Sequence, residues 1–146
     1  MKKSLKLILF CVILVAIIIV LYFVIDIPIN FNQQSELKKV YSSNYTELEA
    51  VFLNISYKEI GTLDYDKLKD FLDLLKNKKI KKVKFYEYDK VSTGDSYRIL
   101  LKLNKENIRI IISNNTITVN NKKYWVDNET IDLIRNIFKE YSEYYF

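Results

Sequence analysis

The chain of 146 residues is 49% hydrophobic and carries 23 Lys and Arg against 18 Asp and Glu, for a net charge of +5. It has no histidine and one cysteine. These counts exclude Ser-His-Asp and Cys-His catalysis, His-ligated metals, an internal disulfide and a Cys-rich zinc site.

From the N-terminus, Lys2, Lys3 and Lys6 precede 19 uncharged apolar residues, Leu7 to Ile25. At ~1.5 Å per residue such a run spans roughly 28 Å as a helix, near the hydrocarbon thickness of a bilayer. The sequence thus predicts a transmembrane signal-anchor over 7–25. Its bulky trailing residues Tyr22 to Ile27 offer no signal-peptide cleavage site. Cys11 sits inside the run as a small apolar residue, not at a lipidation motif. The flanking lysines orient residues 1–6 to the cytoplasm and the remainder outside. The expected location is the cell membrane, single-pass, with an extracellular C-terminal domain and the bilayer as partner of residues 7–25.

Residues 26–46 read as a stalk, polar and weakly patterned from Asn30 onward, with room for a short helix around Glu36–Tyr41. Residues 47–146 read as an extracytoplasmic domain large enough to bury one core. Its first strand is Ala50–Tyr57, where Val51, Leu53, Ile55 and Tyr57 alternate with the residues between them. Gly61 breaks the chain. A helix follows at Asp64–Lys76 with Leu68, Phe71, Leu72 and Leu75 on one stripe and Asp64 as N-cap. Strands then succeed one another at Lys81–Tyr88, Ser96–Leu103, Ile108–Ser113, Thr116–Val119 and Tyr124–Val126, with the Asn-rich turns suited to positive φ. A last helix begins at Asp127 or Asn128 and buries Ile131, Ile134, Phe138 and Tyr141, with Leu133 and Ile137 expected to widen the stripe. The fold class is α+β: an N-terminal transmembrane helix, then a mostly antiparallel sheet with two main helices in the order β-α-β-β-β-β-β-α. Helices on one face leave the other face of the sheet partly open.

Two surfaces are candidate sites. Lys76, Lys78, Lys79, Lys81, Lys82 and Lys84 form a basic run suited to an anionic lipid or wall polymer. Tyr86, Tyr88, Tyr141, Tyr144, Tyr145 and Phe146 are a candidate partner surface, because aromatics combine apolar area with a polar tip. Asp64, Asp66 and Asp70 fail as a calcium loop: Leu68 and Lys69 stand where an oxygen ligand and Gly belong, and Leu75 where the closing Glu belongs. Glu47 with Glu49 and Asp70 with Asp73 are carboxylate pairs on paper, and Ser56 with Lys58 is an example of a Ser–Lys dyad. No motif places any of them in a cleft.

The richness in Lys, Ile, Asn and Tyr resembles the usage of low-GC Gram-positive bacteria. The layout loosely resembles their small membrane-tethered or secreted domains, and no motif residue carries that resemblance. The expected function is a membrane-anchored, non-catalytic binding protein of the cell envelope. It needs no cofactor or metal and does not bind nucleic acid. Its partner is a protein, either an envelope component or a neutralised toxin. The alternative is a structural or regulatory subunit of a membrane complex whose transmembrane helix makes the key contact.

Overall fold

A computed structural model describes residues 2–24, 27–43, 47–84, 87–88, 97–104 and 106–144; the side chains of 2–5, 23–24 and 142–144 lie outside that description. Helix α1 (Lys2–Val24) precedes an α+β domain. The domain contains β1 (Ile29–Asn30), a 3-10 turn (Phe31–Gln33), α2 (Lys38–Ser42), β2 (Leu48–Leu53), β3 (Glu59–Thr62), α3 (Tyr65–Lys76) and β4 (Lys79–Lys82). There follow β5 (Tyr97–Leu103), β6 (Glu106–Ile112), β7 (Thr116–Val119), β8 (Lys122–Trp125), α4 (Asn128–Phe138) and a final 3-10 segment (Lys139–Tyr144). The strands form one eight-stranded sheet in the order β1-β4-β8-β7-β6-β5-β2-β3, with antiparallel pairing between neighbours.

Strand alternation assigns the two faces. Phe52, Ile99 and Ile110 lie opposite one another across β2, β5 and β6, as do Ala50, Leu101 and Ile108. Ile112, Ile117 and Tyr124 continue this face across β6, β7 and β8. All are buried, and they share one core with Leu68, Phe71, Leu72 and Leu75 of α3 and Ile131, Ile134 and Phe138 of α4. The i, i+3, i+4 spacing of both helices makes this packing possible. Asp127 caps α4, its carboxylate accepting from the Thr130 amide at 2.8 Å and the Thr130 hydroxyl at 2.7 Å. Asp64 occupies the N-cap position of α3, yet its side chain makes no cap. Its carboxylate instead accepts the Tyr141 hydroxyl at 2.7 Å, fastening the C-terminal segment to the start of α3.

Several expectations are corrected. Among the described residues no helix is long and apolar enough to cross a membrane. This overturns the transmembrane signal-anchor over 7–25 as part of the fold. The single-pass cell-membrane location falls with it, and so does the assignment of a cytoplasmic N-terminus and an extracellular domain. The small α+β domain with its antiparallel sheet stands.

The segment expected to be a stalk is built into the core: Phe31, Leu37 and Val40 are fully buried. Gln34, also buried, accepts from the amides of Glu36 and Leu37 and donates to the Tyr124 hydroxyl at 3.4 Å. The first long strand ends at Leu53 rather than Tyr57. The Asn54 carboxamide accepts from the Ser56 and Lys58 amides, and Tyr57 adopts φ 59°, so the chain turns into β3. The basic strand runs Lys79–Lys82 instead of Lys81–Tyr88. The order β-α-β-β-β-β-β-α therefore omits β1, β3 and α2.

Candidate functional site: the open face of the sheet

The helices cover one face of the sheet. The other carries Arg98, Leu100 and Lys102 of β5, Arg109 and Ile111 of β6, Thr118 of β7, and Lys123 and Trp125 of β8, while Thr116 on the same side is fully buried. The register fixes their places: Lys123 opposes Thr118, Thr118 opposes Ile111, and Ile111 opposes Arg98. One row of side chains thus crosses four strands. Arg109 opposes Leu100, which opposes Val51.

The β2–β3 hairpin folds onto this face at one margin. The Arg109 guanidinium lies over the Tyr57 ring, 4.4 Å from its centroid. Tyr57 holds a left-handed backbone although it is bulky and not glycine, a conformation that costs roughly 1–2 kcal/mol. Around it, Ile55 is 77% exposed and Ile60 37%. At the opposite margin the Lys123 ammonium lies 5.4 Å from the Tyr88 ring centroid. There the Trp125 indole N–H donates to the Glu87 carboxylate at 3.3 Å. Lys102 is held by Glu59 at 2.7 Å and Glu49 at 3.7 Å. Among the described residues, Arg98, Arg109 and Lys123 have no carboxylate partner.

No family model, no curated protein and no solved structure matches the chain. Its function must be read from the surface chemistry itself.

The residues expected from sequence are dispersed. Lys76 ends α3, and Lys78 lies beside β1, its carbonyl accepting from the Phe31 amide. Lys81 opposes Trp125 and Lys82 opposes Tyr124, so alternation sends these neighbours to opposite faces. Lys79 is exposed at the start of the strand, and Lys84 follows it, its amide donating to Glu87. Of the candidate aromatics, Tyr88 reaches the open face and is half exposed. Tyr141 turns inward against the Phe52 ring at 5.1 Å; burial and the neighbouring Asp64 carboxylate raise its hydroxyl pKa above the ordinary 10.0. Tyr144 belongs to the last 3-10 segment, and its side chain lies outside the described residues, as do Tyr86, Tyr145 and Phe146.

The pairings that suggested chemistry are also separated or engaged. Glu49 is paired with Lys102, Asp70 and Asp73 are exposed on α3, and the Ser56 and Lys58 amides shape the hairpin turn. A polar depression of about 280 Å³ between the segment before α2 and the β5–β6 turn contains Glu36 and Glu106. Glu36 is held by Lys122 at 2.9 Å and by the Asn120 amide, and Glu106 by Lys39. A second depression holds Arg135, bound to Asp132 at 3.0 Å and Asn114 at 2.7 Å. Among the described residues no group of three His, Cys, Asp or Glu side chains is arranged to hold a metal ion.

The Lys122 hydrogen bond, against some burial, holds the Glu36 carboxyl below its ordinary value of 4.5. A carboxylate with a depressed folded pKa contributes stability above its unfolded pKa and loses it as pH falls through the folded one. Acid titration of unfolding free energy should therefore show a loss below pH 4.5 that is smaller in Glu36→Gln. Identical acid limbs in the two proteins would remove Glu36 from the account.

Sequence reasoning missed Arg98, Arg109, Lys123, Ile55, Tyr57 and Ile60 as surface residues. The alternation that places Ile99 and Leu101 inward already places Arg98 and Leu100 outward. The chain also has 20 Lys but only 3 Arg, and two of those three lie on this face. The hairpin carried no such signal, because it was read as a continuous strand.

Proposed function

We propose that the chain is a non-catalytic protein-binding module that docks its partner on the open sheet face and the β2–β3 hairpin. The observation that carries this reading is the apolar tip formed by Ile55, Tyr57 and Ile60, exposed in water beside Arg109 of the open face. Exposed apolar groups clustered within a polar surround mark interaction surfaces, and Tyr and Arg are the residues most often dominant in them. The strained backbone of Tyr57 supports the same reading, since such conformations persist where a side chain must be presented.

A photo-crosslinking residue placed at Ile55 of the full chain should give an adduct with one discrete protein, and the same residue at Leu133 on the outer side of α4 should not. Equal labelling from both positions would overturn the proposal. Tyr57→Gly is a sharper variant. Glycine adopts positive φ freely, so stability in urea should be unchanged or higher by up to about 1 kcal/mol, while crosslinking at Ile55 falls. A Tyr57→Gly protein that is destabilised but still crosslinks fully would make Tyr57 a structural residue only.

A further inference from the structure

We infer that the open face takes an acidic extended segment whose carboxylates stand four residues apart with an apolar residue midway between them. The inference rests on the proposed protein-binding role of this face and names the chemistry of the partner.

The argument starts from the row Lys123–Thr118–Ile111–Arg98, fixed by the strand register. Neighbouring strands are ~4.8 Å apart, so three intervals separate the two end cations by about 14 Å. Arg98 and Lys123 both lack a carboxylate partner among the described residues. Between them lie Thr118 and half-buried Ile111, a neutral and partly apolar floor.

An extended chain rises ~3.4 Å per residue and points alternate side chains to one side. Residues i and i+4 then face the same way about 14 Å apart, and residue i+2 faces that way between them. Carboxylates at i and i+4 reach Lys123 and Arg98, and an apolar side chain at i+2 meets Ile111. Arg109 stands two residues from Ile111 along β6, adding positive potential beside the same track. Opposite charges arranged in this way set register and speed association.

A single-stranded nucleic acid would also seek cations and aromatic rings, but it needs ring faces on which bases stack. The middle of this face is aliphatic and hydroxylic. Tyr57 and Tyr88 stand at its two margins, each already beneath a cation. A protein segment fits better.

The test is fluorescence anisotropy of the full chain with the labelled peptide Ser-Thr-Glu-Thr-Leu-Thr-Glu-Thr-Ser. Its controls are the same peptide with Gln for both Glu, a version with the two Glu adjacent, and a labelled oligouridylate. The expected result is binding of the first peptide that weakens about tenfold with Gln, with adjacent Glu, and in the double variant Arg98→Gln/Lys123→Gln. Arg98 and Lys123 are half-buried, so the double variant is compared only once urea unfolding shows that it is folded under the assay conditions. Binding that is indifferent to the Gln peptide or to the double variant, or tighter binding of the oligouridylate, overturns the inference. If the acidic peptide does not bind while the Ile55 crosslinker captures its protein, the acidic-segment inference fails and the open face remains the docking surface. If neither occurs, both fail.

Discussion

Replacing Phe138 with alanine is expected to destabilise the domain by about 3–5 kcal/mol. The side chain is fully buried at the junction of α4, α3 and the sheet. Its ring meets Phe52 edge-on at 5.7 Å, Phe71 at 5.2 Å and Tyr97 at 5.5 Å. Aromatic pairs in these geometries add ~0.5–1.5 kcal/mol each beyond the area they bury. Truncation removes three such contacts and leaves a void between rigid elements, where relaxation recovers little. Urea unfolding of Phe138→Ala should show a lower midpoint with an unchanged slope. A loss under about 1 kcal/mol, the range of a surface change, would mean that α4 does not seat on the sheet as described.

Phe31→Ala should cost a similar amount, about 3–5 kcal/mol. This result separates a built-in segment from a stalk. Phe31 is fully buried, its amide donates to the Lys78 carbonyl at 2.9 Å, and its ring packs edge-on against Tyr41 at 6.4 Å. Tyr41 in turn donates its hydroxyl to the Leu72 carbonyl of α3 at 3.0 Å. β1 completes the edge by pairing Ile29 with Ile80. An aromatic in a solvated stalk would change stability by less than about 0.5 kcal/mol on truncation. The same urea experiment decides between the two.

How far the sequence revealed this architecture depends on the length of each repeating pattern. α3, α4 and the strands from Tyr97 to Trp125 each hold several periods of alternation or helical spacing, so their burial was legible almost residue by residue. The region 27–43 was legible only as a short helix around Glu36–Tyr41, overlapping α2. Its buried residues Phe31, Gln34, Leu37 and Val40 serve a 3-10 turn and a five-residue helix, too short to display a period among polar neighbours. β3 was hidden for a related reason: it is four residues long and contains Gly61, which reads as a break. The apolar run after Lys6 was legible as a helix, and α1 is one. The transmembrane reading built on it did not survive, because no helix of the described residues meets the length and apolarity that a crossing needs. The open face was legible in outline, since two helices cover only one side of a sheet. Its chemistry was not, because the side chains that compose it come from four strands and meet only through the register.

The most direct test of the open face as the docking surface is hydroxyl-radical footprinting of the full chain, alone and with the protein captured through Ile55. Oxidation of Ile55, Tyr57, Ile60 and Trp125 should fall in the complex, while that of Tyr65 on α3 and Leu133 on α4 stays the same. Protection of Tyr65 and Leu133 with the hairpin and Trp125 unchanged would place the partner on the helical side and contradict the account.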